Sequence, residues 1–304
     1  METDVTAIAL RFGLHPKSFA QAENAILSKV FILDNEYVLR ARKLWSEAIS
    51  KLESEQVLIE TVRSLIPFEL PRLIKTDAGE KFLIEAGLVW TAYPMITGET
   101  LTDWWTMGTF PEPAYEKSFL VLKELHARTR GHLGGIDPLK GYRFLSDIRE
   151  QFEHLKDSLD AAVIVRLKEA IEQTAGAEKK LPEEDFVFVH GDFHPGNLVF
   201  KNGEVKGILD TDWSRKGHPL EDLGYAVMNF MRDCEANAFV FDEKKFNDFI
   251  GWYGLPDLDI PLLGEYMILY ALFDVHGFAS WNTPNKEHLI RIQNSVLTDF
   301  CKRF

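Results

Sequence analysis

The chain has 304 residues, 46% of them apolar and 27% charged, an ordinary globular composition that excludes a disordered, collagen-like or coiled-coil chain. Lys plus Arg number 34 against 47 Asp plus Glu, a net charge of −13, so the surface repels phosphate backbones and nucleic acid is excluded as a general partner. Two cysteines make no disulfide framework, Met1-Glu2-Thr3-Asp4 is acidic where a signal peptide is basic, and no apolar run reaches the ~18 residues of a membrane span, which predicts a soluble cytoplasmic protein with no membrane partner.

The first third reads as strand, strand, helix, strand, strand. Lys29–Leu33 and Glu36–Arg40 are β-prone runs flanking Asp34-Asn35, the pattern of a hairpin with a tight turn. Apolar residues recur at helical spacing from Leu44 to Leu65, and Pro67 and Pro71 stop that helix. Lys81–Ile84 and Leu88–Ile96 are the second strand pair, with Ala86-Gly87 between them. After Gly98 the pattern turns helical, over Phe119–Ala127 and Phe144–Thr174. Three short strands follow at Phe186–Val189, Asn197–Phe200 and Val205–Leu209, expected to form one small sheet insert. Leu220–Met231, Lys244–Tyr253, Pro261–Phe273 and Glu287–Phe304 are helical again. The division falls near residue 96, giving expected domains 1–96 and 97–304.

Two segments carry chemistry. Val189-His190-Gly191-Asp192-Phe193-His194-Pro195-Gly196-Asn197 and Gly207-Ile208-Leu209-Asp210-Thr211-Asp212-Trp213 each run an aliphatic strand into a polar loop, where a rigid scaffold presents catalytic groups. Asp192 followed by Asn197 is the pattern of phosphoryl transfer. The aspartate accepts or orients a substrate hydroxyl, the Asn amide oxygen is a hard ligand for Mg²⁺, and Asp210 supplies a charged second ligand. A rival uses overlapping residues: His190, Asp192 and His194 alternate on one strand face and could hold Zn²⁺ in a hydrolase.

His190-Gly191-Asp192 with Asn197, then Ile208-Leu209-Asp210, resembles the aminoglycoside phosphotransferase and choline kinase-like family. Gly217-His218-Pro219-Leu220-Glu221-Asp222-Leu223 and Leu122-Lys123-Glu124-Leu125-His126 are similar to that family's supporting segments. The resemblance implies an α+β, two-lobed, protein-kinase-like fold. Its N-lobe would be an antiparallel sheet plus a helix, and its C-lobe mostly helical with a small catalytic sheet. It implies transfer of the γ-phosphoryl group of ATP, or of GTP, to the hydroxyl of a small-molecule substrate, with Mg²⁺. It also implies site residues in the N-lobe. Arg40 would grip the α- and β-phosphates in place of the usual Lys, with Lys43 as the alternative. Glu55 would pair with that basic residue, with Glu60 competing. Tyr93 and Met95 would lie in the hinge that bonds adenine, and Asn24–Ser28 would cover the phosphates.

Among the remaining polar residues, His190 and Asp222 are expected to anchor backbone, and Asp212 to face solvent in preference to touching metal-bound water. His194 stands open between an exposed loop residue and a phosphate neighbour. Trp104, Trp105 and Trp281 are expected in packing. A nucleotide-binding pseudokinase is the remaining alternative, against which stand the intact Asp192, Asn197 and Asp210. The acceptor pocket would be built from residues 234–304, which carry no legible motif. Residues 87–96 and the Arg40 strand are locally similar to the macrolide phosphotransferase branch. The acceptor stays open among an antibiotic, an amino alcohol, a sugar or a homoserine-like metabolite.

Overall fold

The computed structural model describes residues 4–22, 28–44, 48–100, 112–136, 144–231, 239–280 and 286–304. Its first unit is a five-stranded antiparallel sheet in the order β1-β2-β3-β5-β4. The strands are β1 (Phe19–Gln21), β2 (Ser28–Leu33), β3 (Tyr37–Lys43), β4 (Leu83–Glu85) and β5 (Leu88–Pro94). Asp34 and Asn35 turn the β2–β3 hairpin with φ of 51° and 56°, and Ala86 and Gly87 turn the β4–β5 hairpin with φ of 52° and 74°. Two consecutive positive φ values match the natural twist of a hairpin, which is why both turns were legible. Helix α1 (Val5–Arg11) and strand β1 were not expected. The helix is two turns long, and β1 has three exposed residues with no alternation to read.

On β3, Leu39 and Ala41 enter the core with α1, Trp90 and Ala92, while Arg40 and Arg42 share the opposite face. Helix α2 (Ala48–Arg63) follows. Its Leu58, Ile59 and Val62 join the large core of the helical part, so α2 ties the two parts together.

The helical part holds α3 (Glu112–Thr129), α4 (Phe144–Leu155) and α5 (Ala161–Lys180). The continuous helix expected over Phe144–Thr174 is thus two. The Ser158 hydroxyl donates to the Leu155 carbonyl at 2.7 Å, Leu159 becomes extended, and Asp160 starts α5. The single sheet insert is also two sheets. Strand β6 (Glu99–Thr100) pairs with β8 (Leu198–Lys201), which pairs with β9 (Glu204–Ile208); β7 (Val187–Val189) instead pairs with β10 (Arg215–Gly217). The buried strand β10 is polar, Arg-Lys-Gly, so hydrophobic patterning does not reveal it. Helices α6 (Pro219–Met231), α7 (Glu243–Tyr253), α8 (Ile260–Ser280) and α9 (Lys286–Arg303) complete the chain. None of the described helices is long and apolar enough to cross a membrane.

Helix α6 lies wholly in the core, and His218 caps it. The His218 Nδ1 accepts the Leu220 N–H at 3.1 Å, and Glu221 Oε1 accepts the His218 N–H at 2.9 Å, a reciprocal cap that needs a neutral ring. Burial pushes the imidazole down from 6.5 to about 4, helped by His126 and Arg130. Between those values the unfolded chain binds a proton that the folded chain refuses. The stabilisation from neutral His218 is therefore complete above pH 6.5 and is lost as pH falls through about 4, about 3 kcal/mol in total. Chemical denaturation at pH 7 and pH 5 should show a smaller loss for His218→Asn, which keeps an acceptor but takes no proton. An equal loss in both proteins would remove His218 as the titrating group.

Candidate active site

The two polar loops lie side by side because one backbone residue fastens them. The Leu209 N–H donates to the Asn197 carbonyl at 2.7 Å, and the Leu209 carbonyl accepts from His190 Nε2 at 2.7 Å. His190 Nδ1 accepts the Asp192 N–H at 3.3 Å, so both ring nitrogens are engaged by backbone. Asp222 accepts the N–H groups of His190 and Gly191 at 2.6 and 2.7 Å, and His126 Nε2 at 3.2 Å. Gly191 has φ of 80°, and a Cβ there would lie 2.5 Å from the Trp213 carbonyl oxygen, so the close approach of the loops requires glycine.

Asp192 is buried apart from one-fifth of its side chain. Asn197 Nδ2 donates to both the Asp192 carbonyl and Oδ2, each at 2.9 Å. Burial alone would raise the Asp192 carboxyl, but His194, His190 and the Tyr225 hydroxyl outweigh it and hold the group below the ordinary aspartate range. His194 Nε2 lies 3.6 Å from Asp192 Oδ2, and its Nδ1 accepts the Gly196 N–H. His194 is thus a neighbour of Asp192, not a loose loop residue.

Asp210 ends β9 in the left-handed conformation, φ 52°, which an aspartate tolerates better than most residues. Its side chain is 38% exposed, and its Oδ1 accepts from Arg40 Nη1 at 3.1 Å. Against the upward push of burial, Arg40 holds its carboxyl below the ordinary range. Arg40 Nε also donates to Ser28 Oγ at 2.9 Å, so Ser28, Arg40 and Asp210 are joined across the cleft.

Other expected positions differ. Glu55 is buried on α2, but its ion pair is with Arg42, at 3.3 Å, and its Oε1 accepts from the Thr211 hydroxyl at 3.0 Å. Lys43 is exposed and lies on the opposite face of β3 from Arg40, whereas Arg42, two residues on, shares Arg40's face. That period of two was the available signal for Arg42. Glu60 pairs with Lys81 at 3.5 Å on the surface. Asp212 does not face solvent: its Oδ1 accepts from Arg40 Nη1 at 2.9 Å and forms an ion pair with Arg42 Nη2 at 2.7 Å. The Tyr93 side chain turns into the same cluster, its hydroxyl 2.8 Å from Thr91 Oγ1 and 3.4 Å from Arg42 Nη2. The Met95 N–H is spent on the Glu36 carbonyl at 2.7 Å. Because backbone groups alternate along a strand, the Pro94 carbonyl turns away from β3, and Ile96 lies two residues past the end of β5. Cys234, Trp104, Trp105, Trp281 and the Asn24–Leu27 part of the phosphate-covering turn lie outside the described residues.

Asn197, with its Nδ2 committed to Asp192, keeps the amide Oδ1 as a remaining acceptor, and Asp210 keeps an exposed carboxylate. Two hard oxygen donors fit Mg²⁺, which completes its sphere with water and phosphate oxygens. The zinc alternative fits poorly, since His190 has no nitrogen to give.

The family model described as APH, phosphotransferase enzyme family, matches residues 22–243. Among curated proteins, acyl-CoA dehydrogenase family member 11 of Gallus gallus is 34% identical over 123 residues, 39% of this chain and 15% of that protein. An aminoglycoside 3'-phosphotransferase of Enterococcus faecalis is 31% identical over 70 residues, 23% of this chain and 25% of that protein. The chain thus spans a quarter or less of the length of these relatives. Among solved structures, the GDP and kanamycin complex of APH(2")-IIia superposes with TM-score 0.69 at 14% identity, covering 97% of both chains. A macrolide 2'-phosphotransferase type I gives 0.62 at 19% identity, covering 94% of this chain and 93% of the other. A spectinomycin phosphotransferase bound to ADP and its antibiotic gives 0.64 at 13%, covering 99% and 98%. At these identities the likeness establishes the two-lobed α+β fold.

Proposed function

The chain belongs to the phosphotransferase enzyme family, and from that premise we propose that it moves the γ-phosphoryl group of ATP to a hydroxyl of a small molecule. Asp192 is the catalytic base, Asn197 and Asp210 hold Mg²⁺, and Arg40 with Ser28 faces the phosphates. Residues 1–96 form the nucleotide-binding lobe and 97–304 the catalytic lobe. The observation that carries this reading is the meeting of Asp192, Asn197, Asp210 and Arg40 in one cleft, from three separate segments.

Phosphoryl transfer asks little covalent chemistry of a protein; positioning and charge neutralisation dominate. Asn197 and Asp210 would hold Mg²⁺, which would supply positive charge to offset that of the phosphates. Asp192, held by Asn197 and kept ionised, orients the acceptor hydroxyl and takes its proton as the oxygen attacks. Arg40 can bond a phosphate oxygen through Nη2, which has no hydrogen-bond partner among the described residues. The Pro94 carbonyl and Ile96 N–H offer one acceptor and one donor to the base edge, a refinement of the Tyr93–Met95 expectation.

The reading is tested by ADP release from ATP and Mg²⁺ over a panel of aminoglycosides, macrolides, amino alcohols and sugars, with GTP as a second donor and Asp192→Asn as blank. Acceptor-dependent release that vanishes in the blank is expected. Release of equal rate in the blank would sink it, as would tight zinc binding without nucleotide binding.

A further inference from the structure

Asp212 is among the most engaged carboxylates in the cleft. Its side chain is 18% exposed, and a single oxygen, Oδ1, is ion-paired with two guanidiniums. Its backbone sits in the short turn Thr211–Trp213. That turn is held by Arg215 Nη1 on the Trp213 carbonyl at 2.9 Å, by Thr211 on Glu55, and by the close approach of Gly191. Arg42, on the far side, is fixed between Asp212, Glu55 and the Tyr93 hydroxyl. Arg40 and Arg42 lie two residues apart on one strand face, and their like charges repel.

We propose that Asp212 is a positioning residue of the nucleotide site: bridged to Arg42, it holds the Arg40 guanidinium over the phosphate position and is not itself a metal ligand. The inference rests on the phosphotransferase reading above. Three observations separate Asp212 from Asp210. Asp210 makes one contact to Arg40 and is twice as exposed, so it can turn to a cation. The Asp212 Oδ1 already accepts from one guanidinium and is ion-paired with a second, and a divalent cation at that oxygen would stand against two positive charges. Finally, Arg40 pairs with both Asp210 and Asp212, and Arg42 with Asp212 and Glu55. When Asp210 turns to a cation, Asp212 still pairs with both arginines. Arg40 then keeps Nη2, which has no hydrogen-bond partner among the described residues, for a phosphate oxygen.

The test uses the full chain and MgADP as probe. Asp212→Asn is isosteric and keeps the turn, but loses the charge that restrains both arginines. Its MgADP affinity should fall about tenfold and the KM for MgATP should rise in step. The kcat should change about threefold or less, and half-saturating Mg²⁺ should stay within about twofold, since no metal ligand is lost. Arg42→Lys cannot reach Asp212, Glu55 and Tyr93 together, so it should give the same KM-type loss. The double variant should be little worse than the poorer single one, because both remove the same bridge. Unchanged MgADP affinity in Asp212→Asn would overturn the proposal, as would a tenfold shift in half-saturating Mg²⁺. If the wild-type chain binds no MgADP, the phosphotransferase reading fails and the proposal falls with it. If the wild type binds and Asp212→Asn matches it, only the proposal falls.

Discussion

Asp192→Asn should lower kcat about a thousandfold while MgADP affinity stays within about threefold of wild type. The asparagine fills the same space, and Asn197 Nδ2 keeps its bond to the residue 192 carbonyl, so the loop geometry survives. What is lost is the negative oxygen that orients the hydroxyl and accepts its proton. The group is held below the ordinary aspartate range, so it is a weak base that stays ionised well below neutral pH. Its contribution is therefore mostly orientation, with proton acceptance late along the reaction path, as suits a loose phosphoryl transition state. Acid loss of activity between pH 6.5 and 4 should follow the His218-linked loss of stability, not titration of Asp192. Steady-state turnover with calorimetric MgADP binding measures both halves. Turnover within tenfold of wild type would remove Asp192 from the chemistry, and lost nucleotide binding would make its role structural.

Asp210→Asn should abolish the dependence of nucleotide affinity on Mg²⁺, a loss of about 3 kcal/mol or roughly 100-fold with the metal present. Asparagine tolerates the left-handed backbone at this position, so the substitution isolates the charge. The sign without metal is the discriminating part. The Asp210 carboxylate repels phosphate and occupies Arg40, so Asp210→Asn should bind metal-free ADP as well as wild type or better. Titration of ADP into each protein, with Mg²⁺ and with a chelator, gives four affinities. Equal Mg²⁺ enhancement in both proteins would show that Asp210 holds no metal.

Much of the fold was legible because it is local. The Asp34-Asn35 and Ala86-Gly87 turns, the α2 stop at Pro67 and the amphipathic period of the C-terminal helices are written in runs of a few residues. The errors have physical reasons. The break between α4 and α5 is one short turn at Lys156–Ser158 and a single extended residue, Leu159, which leaves apolar periodicity almost unbroken across it. Strand β10 pairs with a partner 26 to 30 positions away and carries Arg and Lys into the core, where Glu221 and Glu183 pair with them and the Tyr270 hydroxyl accepts from Arg215. A polar strand has no hydrophobic signature.

The candidate site divides along the same line. Its loop residues Asp192, Asn197 and Asp210 stand within 19 positions of sequence, and their types and spacing alone named them as a group. The partners of the arginines did not follow from spacing. The resemblance paired Glu55 with Arg40, but the twist of the sheet and the seating of α2 bring it to Arg42. Asp212, read as solvent-facing, is drawn inward by two guanidiniums from a strand 170 positions earlier. The sequence alone grouped the candidate loop residues and marked the local hairpins and most helices, because both depend on neighbouring residues. Only the tertiary structure decided which carboxylate balances which arginine and which hinge amide is spent, because buried charges take the partner that packing brings within hydrogen-bond distance.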